Sequence, residues 1–264
     1  MIKPYYDQDG ITIYHGDCRE ILPHLPKVDL VLTSPPYDGL RDYEGYDFDF
    51  TNISKHIVDK LSNGSVLVWI VGDQTINGSE TGTSFKQALY FKDIGLNLHD
   101  TMIWNKQNCS SVGSLSRYEN TFEYMFVFSK GKPKSANIIK DKPNKRAGEI
   151  QCGSIRQKDG TVRKTSGYGK RAIEEFGRRS NVWNIFPAKS PKERLHPAPF
   201  SEQLAIDHVI SWSNEGDTVL DPFMGSGTTL VAAKQLGRKA IGIEIELKYI
   251  EIAIKRLGQG VLPL

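Results

Sequence analysis

Ser34, Pro35, Pro36 and Tyr37 stand directly after the apolar run Val28-Asp29-Leu30-Val31-Leu32, which reads as a strand. Two consecutive prolines stiffen the backbone, so the Ser34 hydroxyl and the Pro35 carbonyl can converge as hydrogen-bond acceptors. Tyr37 adds an aromatic face on which a planar ring can stack and a developing positive charge can be stabilised. This set suits an amine conjugated with a ring. Its lone pair is delocalised, and it turns nucleophilic only when both hydrogens find acceptors and the nitrogen pyramidalises. Taken alone, the same four residues also read as a rigid surface turn.

A second string, Asp221-Pro222-Phe223-Met224-Gly225-Ser226-Gly227-Thr228-Thr229, follows the strand Thr218-Val219-Leu220-Asp221. Its glycines permit a tight turn and close approach of a ligand, and the helix that opens near Thr228 presents free N–H groups. Glu244 ends the next strand 23 residues after Asp221, near the spacing of about 20 at which an acid holds ribose hydroxyls. A dinucleotide site is the rival reading. Leu230 occupies the third glycine position of that fingerprint, and no Gly-Lys-[Ser/Thr] phosphate loop occurs.

These loops need strands to deliver them and helices to cover the strands. Ile11 to His15, Val28 to Leu32, Val66 to Val71, His99 to Trp104, Phe122 to Phe128, Thr218 to Asp221 and Ala240 to Glu244 read as strands, the one from Phe122 alternating and suited to antiparallel pairing. Helices are expected from Ser201, a plausible N-cap, to about Trp212, and from Thr228 to Leu236, closed by Gly237. In a final helix Ile250, Ala253, Ile254 and Leu257 form one apolar stripe. Alternating strands and helices predict an α/β fold with a mainly parallel sheet and helices on both faces. No internal repeat is evident.

At 264 residues the chain suits one large α/β domain with an insert, or two small domains. With 39% hydrophobic and 25% charged residues it has an ordinary globular composition. No apolar run resembles a signal peptide or a membrane span. Cys18, Cys109 and Cys152 are widely spaced without a Cys-x-x-Cys pair, which argues against disulfides and zinc and for a reducing cytoplasm. No metal-ligand cluster stands out, and none is expected. The net charge of +3 hides an asymmetry: Lys130 to Leu195 carries 18 Lys and Arg against 6 Asp and Glu. One basic segment on an acidic body suggests a face for a polyanion, with a solvated insert as the bland alternative.

The second string resembles the S-adenosylmethionine loop of amino-methyltransferases, and Thr33-Ser34-Pro35-Pro36-Tyr37 resembles their catalytic loop. The order of catalytic loop, insert and cofactor loop resembles the β group of N4-cytosine and N6-adenine DNA methyltransferases, outside roughly residues 131–195. The resemblance implies a Rossmann-like methyltransferase sheet divided into a catalytic half (1–130), a basic target-recognition insert (131–195) and a cofactor half (196–264). It implies S-adenosyl-L-methionine as cofactor, double-stranded DNA as partner and a flipped base as substrate, because the loop cannot reach a stacked one. Ser34, Pro35, Pro36 and Tyr37 would be catalytic. Asp17, Thr33, His196, Ser201, Asp221, Phe223, Gly225, Ser226, Gly227, Thr228 and Glu244 would surround the cofactor, with Asp17 toward the adenine amine, Glu244 on the ribose and the His196 to Ser201 segment by the carboxylate.

Arg41, in an acidic and aromatic stretch from Asp38 to Phe50 that reads as either a flap or a packed loop, is a DNA-binding candidate. Lys142, Lys145, Arg146, Arg156, Arg163, Lys164, Lys170, Arg171, Arg178 and Arg179 of the insert are the others. By the same resemblance, serine before Pro-Pro-Tyr leans toward cytosine N4, and adenine N6 is the alternative. An RNA or protein amide methyltransferase, usually with Asn there, and a non-catalytic DNA-binding module are lesser readings. A homodimer and a cognate restriction endonuclease are both compatible with this type, and the endonuclease is not required for activity.

Overall fold

The computed structural model describes residues 2–36, 48–107, 116–187 and 201–258, and the chain divides into two compact units. The first comprises Met1–Asn137 and Asn181–Leu264. Its elements before the insert are β1 (Tyr6–Gln8), β2 (Ile11–His15), α1 (Cys18–Ile21), a single 3-10 turn (Leu22–His24), β3 (Val28–Thr33), α2 (Phe50–Lys60), β4 (Leu61–Val71), the small hairpin β5 (Thr75–Ile76) and β6 (Ser79–Glu80), α3 (Thr83–Asp93), β7 (Asn97–Asn105) and β8 (Phe122–Ser129). The insert carries β9 (Lys140–Pro143), β10 (Ser154–Arg156), β11 (Val162–Lys164) and β12 (Phe176–Arg178). The chain then returns through β13 (Val182–Asn184), α4 (Glu202–Trp212), β14 (Thr218–Asp221), α5 (Thr228–Gln235), β15 (Lys239–Glu244) and α6 (Leu247–Gly258).

Among the described residues nine strands form one sheet in the order β1-β2-β15-β14-β3-β4-β8-β7-β13. Strands β2, β15, β14, β3 and β4 run parallel, whereas β8 is antiparallel to both β4 and β7. The antiparallel β8 is the strand whose sequence alternates. Side chains alternate across the central strands: Leu30, Leu32, Val66, Val68 and Ile70 enter one core with α4, α5 and α6. Val31, Leu67, Trp69 and Val71 enter the other, with α1, α2 and α3. Burial on both faces explains why β4 reads as an unbroken apolar run. No helix among the described residues is long and apolar enough to cross a membrane.

The chain leaves β3 toward β4 on one side and returns as β14 on the other, pairing Val219 with Leu30 and Leu220 with Val31. That reversal is a topological switch point, and the carboxyl ends of strands at such a point are the usual ligand position in an open α/β sheet.

The second unit is Ile138–Ser180, narrower than the expected 131–195. At its start, Lys134 lies 2.5 Å from Asp29 and 3.3 Å from Asp217, and Asn137 donates to Ile210 O at 3.1 Å. At its end, β13 pairs in parallel with β7. These flanks belong to the sheet domain because their polar groups are used there. Within the unit β9 pairs with β12 and β10 with β11, both antiparallel.

Candidate functional site

Asp221 closes β14 and is 2% exposed. Its Oδ1 accepts the Thr33 hydroxyl at 2.7 Å and the Phe223 N–H at 3.1 Å, and its Oδ2 lies 2.6 Å from the Thr229 hydroxyl. Burial pushes this carboxyl up to about 6, against the pull of the Thr229 and Thr33 hydroxyls and the Phe223 N–H. Both oxygens are thus engaged inside the protein. Thr33, expected at the cofactor, is completely buried with its hydroxyl turned to Asp221. The pair forms a foundation beneath the two loops, since Ser34 begins where β3 ends. Ser34 and Pro36 are half-buried and Pro35 is buried.

Glu244 ends β15 and is half-buried. Its Oε2 accepts the Gly225 N–H at 2.9 Å and its Oε1 the Glu246 N–H at 2.8 Å. Burial raises its proton affinity, and the N–H groups of Glu246 and Gly225 oppose that. A carboxylate carries about four lone-pair sites, so Glu244 keeps acceptor capacity beyond its backbone N–H partners. Half-buried Phe223 packs edge-on against Phe48 with ring centroids 5.7 Å apart. Acceptors for hydroxyls on Glu244 and an apolar ring on Phe223 suit a nucleoside such as that of S-adenosylmethionine.

Gly225 and Gly227 adopt positive φ, +49° and +79°. A Cβ on Gly227 would stand 2.8 Å from the Ala253 Cβ of α6, so this glycine serves helix packing as well as the turn. Ser226 and Thr228, expected as ligand contacts, are 4% and 5% exposed. Their oxygens face Arg256, whose Nη1 donates to Ser226 O at 2.7 Å and lies 3.0 Å and 3.2 Å from the two hydroxyls. Arg256 Nη2 also donates to Glu202 Oε1 at 2.7 Å, tying the first turn of α4 to the glycine loop. Sequence reading missed Arg256, because it sits on an ordinary helix with nothing local to mark it. It also missed Gly242, where a Cβ would come within 2.8 Å of Leu230 Cδ2 and closer still to Met224 Sδ.

Asp17 lies two residues past β2, where it caps α1 by accepting the Arg19 N–H at 2.8 Å. Its side chain also pairs with the Arg19 guanidinium, which holds the carboxyl below its usual range. Ser201 caps α4 as expected, its Oγ accepting the Leu204 N–H at 3.3 Å, and is 7% exposed. Tyr37, Arg41 and His196 lie outside the described residues. Of the stretch from Asp38, the described end is packed: Phe48 meets Phe223, Phe50 meets Trp69 at 6.0 Å, and Asp49 caps α2.

In the insert, Lys142, Lys145, Arg146, Arg156, Arg163, Lys164, Lys170, Arg171 and Arg178 are exposed and Arg179 is half-buried. Arg146 pairs with Glu149 at 2.6 Å and Arg179 with Asp141 at 2.5 Å, while Lys164 Nζ stands 4.4 Å from the Tyr168 ring centroid. Ile150, Ile155, Val162 and Phe176 are all more than 40% exposed.

A doubly wound sheet with a proline-stiffened loop and a glycine loop at the ends of adjacent strands defines a methyltransferase of the Rossmann-like class. The chain belongs to the N6/N4 DNA methylase family, whose model, described as DNA methylase, matches residues 28–255. The orphan methyltransferase M.BamHII of Bacillus amyloliquefaciens is 48% identical over 255 residues, covering 94% of this chain and 92% of that one. The M1.HpyAVI–SAM complex aligns with a TM-score of 0.66 at 25% identity, over 94% of this chain and 99% of that one. The cytosine-N4-specific PvuII DNA methyltransferase aligns with a TM-score of 0.70 over 98% of this chain and 90% of that one; at 21% identity this likeness concerns the fold alone. The protein is an S-adenosylmethionine-dependent DNA methyltransferase of the amino group.

Proposed function

We propose that this enzyme methylates cytosine at N4 within a specific DNA sequence, the base being flipped into the Ser34 loop. The observation that carries this reading is Ser34, directly before Pro35-Pro36 at the carboxyl end of β3, beside the strand that bears the glycine loop. S-adenosylmethionine supplies an electrophilic methyl on a sulfonium when it is bound. The Ser34 hydroxyl and Pro35 carbonyl accept the two amine hydrogens, which localises the nitrogen lone pair. Tyr37 stacks on the ring and stabilises the charge that develops on it. Positioning amine and methyl in line supplies much of the remaining acceleration.

Glu244 holds the ribose hydroxyls and Phe223 lines the cofactor, while Thr33, Asp221, Ser226 and Thr228 shape the loops from below. Basic side chains of the insert bind DNA, and the enzyme works in the cytoplasm. Methyl transfer itself requires no partner endonuclease. DNA from a host expressing the chain should yield N4-methyldeoxycytidine on digestion and mass analysis. N6-methyldeoxyadenosine would reject cytosine and keep the mechanism. Tyr37→Ala should abolish most turnover with cofactor affinity intact; near-normal turnover would remove Tyr37 from the chemistry.

A further inference from the structure

We propose that the hairpin of β10 and β11 enters the major groove of DNA as a two-stranded ribbon and reads the recognition sequence. The proposal rests on the assignment of the insert to DNA and names the element within it.

Three observations converge on this hairpin. First, its tip is closed by hydrogen bonds. Gln157 N–H donates to Thr161 O at 2.7 Å and Gly160 N–H to Gln157 O at 3.1 Å, with Gly160 at φ +86°. Asp159 Oδ1 accepts both the N–H and the hydroxyl of Thr161, at 2.9 Å and 2.7 Å, so the one acid in the hairpin is used to lock the turn. At the base, Thr165 N–H donates to Gly153 O at 3.0 Å.

Second, both faces of the ribbon are exposed among the described residues. All residues of β10 and β11 are exposed, including Ile155 at 54% and Val162 at 67%. An isolated two-stranded hairpin is marginal in water, because it has no layer against which to bury a face. An ordered ribbon with apolar side chains on both faces is therefore suited to a partner that covers it. Third, the charge names that partner. Arg156, Lys158, Arg163 and Lys164 stand against Asp159 alone within residues 154–164. Strands lie about 4.8 Å apart, and a ribbon of that width with its side chains fits a groove about 12 Å wide.

Register then restricts how the ribbon can read. Ser154 faces Lys164, Ile155 faces Arg163 and Arg156 faces Val162. Partners across a ladder share a face, and successive residues alternate. Arg156, Val162, Ser154 and Lys164 therefore lie on one face, and Ile155 and Arg163 on the other. With one face toward the base edges, only one of the two arginines can grip a guanine through O6 and N7, and the other is left for phosphate. Each face also carries one apolar residue suited to a thymine methyl.

The test uses the full chain with S-adenosylmethionine. The methylated motif is mapped in DNA from hosts expressing Arg156→Ala, Arg163→Ala or wild type. Affinity for a duplex carrying the wild-type motif is then titrated against salt. One arginine variant should relax the motif at a single base position, with roughly 5- to 150-fold loss at cognate DNA. The other should weaken binding to all sequences and reduce the slope of log affinity against log salt by about 0.9. Cofactor affinity should stay at the wild-type value in both and reports that the chain is folded. If both variants relax the motif, or neither does, the ribbon reading is overturned. Lys142→Ala with Lys145→Ala separates the two levels. If that pair weakens binding while the hairpin variants are silent, the hairpin falls and the insert stands; if all are silent, the insert reading falls as well.

Discussion

The Thr33 hydroxyl and the Asp221 carboxylate, 188 residues apart in the chain, meet at 2.7 Å where β3 and β14 end side by side. This bond joins the strand that carries Ser34 to the strand that carries the glycine loop, beneath both. A hydrogen bond to a charged group contributes on the order of 1.5–3 kcal/mol. Thr33→Val, which keeps the shape and removes the donor, should lower unfolding free energy by about that much and slow single-turnover methyl transfer. Thr33→Ser should restore both. Transfer at the wild-type rate in a folded Thr33→Val protein would show that the bond stabilises the fold without positioning the loops.

Asp221 also predicts a pH dependence. Burial moves its carboxyl from an ordinary 3.8 to about 6. Between these values the native protein binds more protons than the unfolded chain, so unfolding free energy falls as pH rises through that window. The stabilisation is complete below about pH 4 and lost above about pH 6, a difference of about 3 kcal/mol. Asp221→Asn cannot ionise and should flatten this contribution. Urea unfolding of both proteins between pH 4.5 and 7 measures it, and parallel curves would contradict the burial of an ionisable group there.

Glu244 is predicted to hold the cofactor ribose while it fastens the glycine loop through the Gly225 N–H. Glu244→Ala should weaken S-adenosylmethionine binding by on the order of 1–3 kcal/mol, read by calorimetry without DNA. Unchanged affinity in the folded variant would move the ribose site elsewhere.

Arg256 is 12% exposed in its side chain and spans Ser226, Thr228 and Glu202. Arg256→Met preserves much of the apolar stem and deletes the fork that makes these bonds. Stability should fall by on the order of 1.5–3 kcal/mol and cofactor affinity should fall with it, because the loop loses its underside. Arg256→Lys should not rescue, since one ammonium cannot reproduce a planar two-nitrogen grip. Full rescue by lysine would mean that charge alone matters at this position.

Much of the site could be read before folding was considered. The Ser34 and Asp221 strings are contiguous, and a short string after an apolar run carries its own strand–loop geometry. The Ser201 cap of α4 and the stripe of Ile250, Ala253 and Leu257 are equally local, and the structure has each of them. The basic charge of residues 130–195 was visible in the sequence. The bounds of the compact unit Ile138–Ser180 were not, because Lys134 looks like one more basic residue until Asp29 and Asp217 are brought beside it.

Sequence by itself determined the chemistry and the order of its parts, since hydrogen-bond acceptors, glycine turns and strand-end acids act over a few consecutive residues. Tertiary structure alone decided which polar groups of those loops turn inward. Thr33, Asp221, Ser226 and Thr228 all appear in strings that look ligand-facing, yet their side chains are buried against one another and against Arg256. The pairing of β3 with β14 and the seat of α6 beneath the glycine loop set those directions. Both depend on register between segments far apart in the chain, and a buried polar atom must find its partner wherever that register places one.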